Sequence, residues 1–149
     1  MKDCFYQYRK GLYQVLSTLK YQGINIPVME YAPDEQETPY IQILNMSALF
    51  ERDDDKDSQR VTTDIMVVTS HAGPPDDFGS KQSDDIMNDI MELLITKGVT
   101  PSQRAKHITM ADFEDAGCFL VALNYMSDFD GAKITVRKIL TIETMIDNK

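Results

Sequence analysis

The chain has 149 residues, 42% of them hydrophobic and 26% charged, which suits one domain that buries a core without disulfide or metal staples. Its formal net charge of -9 argues against a conventional nucleic-acid reader, because phosphate binding requires clustered Lys and Arg. No apolar run approaches the ~20 residues that span a bilayer, and Met1 to Lys10 mixes charges with aromatics where a signal peptide carries an apolar core.

Cys4 to Lys20 reads as an amphipathic helix, with Phe5, Tyr8, Leu12, Val15, Leu16 and Leu19 at helical spacing. Gly23 and Pro27 supply its stop signal, and Val28 to Tyr31 is short enough for a single strand. Two β-compatible runs follow, Pro39 to Phe50 and Arg60 to Thr69. In the first, Tyr40, Gln42, Leu44, Met46, Ala48 and Phe50 alternate with Ile41, Ile43, Asn45, Ser47 and Leu49, and the second is dominated by β-branched residues. Their connector, Glu51 to Gln59, is acidic, so the pair is expected to be a hairpin with a charged tip.

His71 to Gly79 is rich in Gly and Pro and reads as a rigid loop. Ser80 or Ser83 can cap the next helix, which carries Ile86, Ile90, Leu93 and Leu94 on one stripe and ends near Lys97 and Gly98. After a mixed stretch around Ala105 to Met110, a strand is expected from Asp115 to Ser127, then a turn at Asp128-Phe129-Asp130-Gly131. The last strand sets Ile134, Val136, Leu140 and Ile142 against Thr135, Arg137, Ile139, Thr141 and Glu143. Strands grouped in hairpins imply an α+β fold over residues 1–149, a mainly antiparallel sheet of long hairpins with two helices packed on one face.

The connector invites a test for calcium, since Asp53, Asp55 and Asp57 alternate and Asp64 stands at the twelfth position from Asp53. A helix-flanked calcium loop requires Gly at its sixth position and normally Glu at its twelfth; here the sixth is Ser58 and the flanks read as strands. The Asp76-Asp77 and Asp84-Asp85 pairs suit the positive end of a helix dipole. His71 and His107 lack metal-ligand spacing, no serine sits in a GxSxG elbow, and neither cysteine has a histidine near it in sequence. No catalytic residue, metal or cofactor is assigned on these grounds. Cys4 and Cys118 are read as buried reduced thiols, and Met87, Met91, Met110, Met126 and Met145 as core-filling side chains.

The candidate interaction residues are therefore charged. Glu51, Asp53, Asp54, Asp55 and Asp57 form the acidic hairpin tip, and Lys133, Arg137 and Lys138 form a basic patch. Opposite patches on one subunit suit head-to-tail contacts.

The layout resembles the tail-terminator or tail-completion family of tailed bacteriophages, with its head-tail joining and neck relatives. The resemblance rests on the opening helix Tyr8 to Lys20, Val28-Met29-Glu30-Tyr31 before an acidic-polar loop and Pro39-Tyr40-Ile41-Gln42-Ile43, the strand Thr62 to Val68, the helix Asp84 to Leu94 and two closing strands. It implies a non-enzymatic virion protein, assembled in the host cytoplasm, that forms a homo-oligomeric ring, commonly a hexamer, in the tail or neck. Such a ring contacts other neck and tail-tube proteins, lets genomic DNA pass its lumen without specific binding and has no membrane partner. The acidic hairpin tip and the Gly98 to Asp115 segment match no family pattern. A second reading of the same residues is a small acidic binding or regulatory module that contacts a basic protein or mimics DNA.

Overall fold

The central strands are long because their sequences alternate without interruption by Gly or Pro. The computed structural model of the protein describes residues 3–53, 56–72, 81–95 and 108–149. Helix α1 (Phe5–Leu16) is followed by the two-residue strands β1 (Lys20–Tyr21), β2 (Ile24–Asn25) and β3 (Val28–Met29). Then come β4 (Tyr40–Asp53), β5 (Lys56–Ala72), helix α2 (Lys81–Leu94), β6 (Phe113–Asp130) and β7 (Lys133–Asn148). The main sheet has the order β3-β4-β5-β7-β6. Every pairing in it is antiparallel except β3 with β4, which is parallel, so the expected mainly antiparallel sheet is mixed at one edge.

Both helices lie on one face. In register, Gln59, Val61, Thr63, Ile65 and Val67 of β5 face the same way as Ile146, Thr144, Ile142 and Leu140 of β7, and all of these are buried. Helix α1 presents Tyr8, Leu12, Val15 and Leu16 to this layer, and α2 presents Ile86, Met87, Ile90 and Leu94, both at the spacing of one helical stripe. The Lys138 ammonium, ion-paired to Asp84, ties α2 to β7.

Four departures from the sequence reading have local causes. Helix α1 ends at Leu16 rather than Lys20, because Ser17 and Thr18 turn their hydroxyls back onto the carbonyls of Tyr13 and Val15 (2.7 Å each). Gln22 and Gly23, with φ of 51° and 81°, then turn the chain into the small β1–β2 hairpin instead of simply stopping a helix. In β4 an extra residue between Ile43 and Met46 forms a bulge, so Ile41 and Ile43 share the core face with Met46 and Ala48 rather than opposing them. A second bulge between Leu120 and Ala122 does the same in β6, placing Cys118 and Leu120 with Leu123 and Tyr125. Strict period-two counting across either bulge assigns the wrong face.

The hairpins also run further than expected. The pairing of β4 with β5 continues to Asp53 opposite Lys56, so most of the nine-residue connector is strand. Similarly, β6 pairs to Asp130 opposite Lys133, leaving Gly131 (φ 62°) and Ala132 as the turn. Ser83 lies inside α2 and is buried. The expected loop over 73–79, Ser80, the helix end beyond Ile95 and His107 lie outside the described residues.

A polar spot pins α1 to the sheet. The Tyr8 hydroxyl lies 2.8 Å from Oγ1 of Thr144 and 3.4 Å from Oγ1 of Thr63, and Thr144 in turn reaches Sγ of Cys118 at 3.6 Å. The Cys4 thiol donates to Oε1 of Gln59 at 3.1 Å. Both cysteines are buried and unbridged, as read from the sequence. Of the five methionines read as core-filling, Met87 and Met110 are buried and Met91 packs against the core, but Met126 is 48% exposed on β6, a correction to its core assignment.

Gly11 is set by a close approach. A Cβ there would stand 2.6 Å from Cγ2 of Ile108 and 2.8 Å from the Thr109 carbonyl oxygen, a backbone atom with little room to yield. Gly11→Ala is therefore expected to destabilise the protein by about 1–2 kcal/mol in chemical denaturation, overpacking outweighing the gain in helix propensity.

Burial, with Asp3 as the lesser cause, pushes the Cys4 thiol up from 9.0 to about 11. The unfolded thiol thus loses its proton first, and stability is expected to fall as pH rises from about 9 towards 11. Cys4→Ser keeps the hydrogen-bond donor and should flatten this limb of a melting-temperature profile relative to the wild type.

Candidate assembly interface

Among the described residues edge strand β6 is the longest strand, at 18 residues, and it pairs with β7 alone. Its first part is anchored: Phe113 and Cys118 are buried, and Asp115 accepts from the amides of Ile108 (2.8 Å) and Gly117 (3.1 Å). A reciprocal pair between the side chain of Gln7 and Asp112 joins this end to α1. Beyond Cys118 the strand leaves the helix layer.

From Phe119 onward large side chains are exposed on both faces. Leu120, Leu123, Tyr125 and Phe129 point to the helix side, beside the buried Ile142, Leu140 and Ile134 of β7, while Phe119 and Met126 point to the opposite side. Their exposures, with Val121 at the bulge, run from 42% for Leu123 to 68% for Phe129. Soluble proteins blunt such edges with charges, Pro or short strands. Here Ala116 to Ser127 contains no charged residue at all. Scattered exposed hydrophobics are ordinary, but a contiguous strip along an open edge marks a contact surface.

The acidic hairpin is placed at the opposite end of the sheet from the β6–β7 turn, since Ser58 pairs with Asp147 and Ala72 with Lys133. Glu51 is not a bare carboxylate: Arg60 bridges it (3.0 Å) to Glu143 (3.3 Å) across three strands. Asp57 lies in β5 and Asp53 ends β4, while Asp54 and Asp55 are outside the described residues. The three basic residues are separated by strand alternation. Lys133 sits next to the β6–β7 turn, Arg137 on the uncovered face is ion-paired to Asp128, and Lys138 on the helix side is ion-paired to Asp84.

The sheet face that carries no helix among the described residues holds Glu51, Asp64, Glu114, Asp128, Asp130, Glu143 and Asp147 against Arg60, Lys133 and Arg137. Cross-strand polar pairs hold it, including the Thr141 hydroxyl on Asp64 at 2.6 Å. This net acidity of a whole face was not separable in the sequence from that of the connector. Among the described residues no group of three or more His, Cys, Asp or Glu could hold a metal ion.

What the arrangement can do is bind, by strand addition along β6 and by charge across the open face. No protein-family model matches the chain, and no curated protein matches it. Among solved structures it is similar to a chain from the virion of a native gene transfer agent particle, with a TM-score of 0.60 and 12% identity. That likeness covers 96% of this chain and 90% of the other, and it is a likeness of fold.

Proposed function

We propose that this protein is a non-enzymatic structural subunit of a phage-type virion that assembles as a ring at the head-tail junction or tail end, joins tail tube to neck, and lets DNA pass. The observation that carries this reading is the open β6 edge, 18 residues long, apolar on both faces and free of charge between Ala116 and Ser127. An edge of that kind is suited to self-association rather than to a solitary life in water. The fold likeness to a chain of a gene transfer agent virion supports it.

The acidic sheet face fits a passage. Lining a lumen with carboxylates keeps phosphates from adhering, because it offers no cations to displace the counterions of DNA. Glu51 and Asp57, on opposite faces of the hairpin, are then the tip residues offered to that lumen or to an adjacent ring, and Lys133, next to the β6–β7 turn, is the basic residue offered to a neighbouring acidic surface. A hexamer is the favoured ring.

Negative-stain imaging of the purified protein is expected to show rings, and gold-labelled copies are expected at the head-tail junction or tail end of particles. A strictly monomeric species, both alone and with virion partners, overturns the reading. The wild type is expected to leave a DNA fragment unshifted in a gel at roughly physiological salt, whereas Asp130→Lys combined with Asp147→Lys should produce a shift that fades as salt rises.

A further inference from the structure

Helix α1 is a basic element in an acidic chain. It carries Arg9 and Lys10 and no carboxylate, in a chain of net charge -9, whereas α2 sets Lys81 against Asp84, Asp85, Asp89 and Glu92. Arg9 and Lys10 lie on the outward face of α1 with Tyr6 and Tyr13, at i, i+3, i+4 and i+7, and the two tyrosines are 69% and 48% exposed. These four line a groove whose far wall is Glu30, the residue after β3, ion-paired to Arg9 at 3.5 Å. Helix α1 therefore has a second, partly apolar face on the side away from its own sheet.

We infer that this face covers β6 of the next copy: around the ring, each subunit lays the outer side of α1 over Leu120, Leu123 and Tyr125 on the helix side of its neighbour's β6. The two surfaces lie on opposite flanks of one subunit, since the groove opens beside β3 and the strip follows β6, the two outer strands of the main sheet. They are also level. Tyr8 is bonded to Thr63 and Thr144, in the rows of Leu120 and Cys118. Past the other end of α1, Leu19 accepts from the amide of Ile26 just before β3, and Val28 stands in the row of Ile41, Val67, Lys138 and Tyr125. Rotation about an axis along the strands keeps each residue at its level and the helix layer on its own side, so one copy's α1 arrives beside the next copy's strip. Joining β6 to the open part of β4 does not satisfy this. Leu49 and Phe50, 67% and 58% exposed, are level with Gly117 and Asp115, the anchored start of β6.

The chemistry of the two surfaces matches. Tyrosine buries a flat apolar ring while its hydroxyl stays wet, and Arg and Lys lay apolar stems along a surface with their charges at its rim. The cations of α1 then meet a neighbour that is acidic as a whole. Seven large side chains of β6 lie between 42% and 68% exposed. At ~150–250 Å² for a whole large side chain they offer on the order of 600 Å², close to the ~800 Å² per partner of a stable interface. Two-fold pairing of β6 with β6 would leave Tyr6 and Tyr13 bare, whereas the head-to-tail contact covers both surfaces and repeats.

This inference rests on the ring reading but is tested apart from it, by sedimentation of two variants of the full chain. Leu123→Lys with Tyr125→Lys disables the strip, and Tyr6→Lys with Tyr13→Lys disables the α1 face; lysine in both keeps the disabled surfaces from attracting each other. Each variant is expected to weaken self-association roughly 30-fold or more. Each alone should sediment as a monomer, and their equimolar mixture as a one-to-one heterodimer, since the first keeps an intact α1 face and the second an intact strip. The inference is overturned if the α1 variant self-associates like the wild type, which gives β6 to another surface such as a second β6. It is equally overturned if the mixture stays monomeric at the highest soluble concentration, or if the wild type is monomeric, which gives the strip to a different virion protein. Matched melts by circular dichroism check folding, and a milder pair, Leu123→Ser and Tyr6→Ser, repeats the experiment should a lysine variant melt early. Rings formed by the α1 variant would leave the ring reading standing and this inference fallen; the heterodimer without labelled copies in particles would do the reverse.

Discussion

A β-strand advances about 3.3 Å per residue and an α-helix about 1.5 Å, so a helix must be more than twice as long in sequence to cover a strand. With 16 residues β7 extends roughly 53 Å. The 12 residues of α1 and 14 of α2 extend about 18 and 21 Å. The described helices are too short, and lie on only one face, to cover a sheet of this size. What they do cover becomes the core: β5 and β7 carry buried side chains almost end to end. What they leave uncovered, the outer length of β6 and the edge of β4, is the apolar surface available to a partner.

Placement of the helix layer depends on a small polar network inside that core. The Tyr8 hydroxyl accepts from Thr63 and shares a hydrogen bond with Thr144, two threonines on adjacent strands, and burial pushes its hydroxyl pKa well above the ordinary range. Leaving any of these oxygens unpaired would cost about 1–3 kcal/mol, so α1 is held to one position on the sheet rather than sliding along a uniformly apolar surface. Gly11 permits the same close seating from the other flank, against Ile108 and Thr109. With α1 and the start of β6 thus fixed together, the rest of β6 runs on beside β7 past the helix layer.

Much of this fold was legible in the sequence because period and punctuation agreed. The stripe Ile86, Met87, Ile90 and Leu94 and the β-branched run Val61 to Val68 each specify one element with little competition. The faces of β4 and β6 were not legible. A bulge adds one residue to a strand without a distinctive residue type, and Leu44-Asn45 and Val121 give no warning of the face change that follows.

The open length of β6 was not legible for a related reason. Phe119, Leu123 and Tyr125 look identical in sequence whether a helix covers them or nothing does, because composition records what a residue prefers and not which neighbour reaches it. The acidic connector is conspicuous in sequence by its charge alone. Most of it is ordinary hairpin strand, with Glu51 already held by Arg60. The central claim, that the outer length of β6 is open in the single chain and covered in the assembly, is tested most directly by hydrogen exchange over Phe119 to Phe129 in dispersed protein and in assembled particles. Fast exchange of the outward amides when dispersed and strong protection when assembled is the predicted result. Equal exchange in the two states would contradict it.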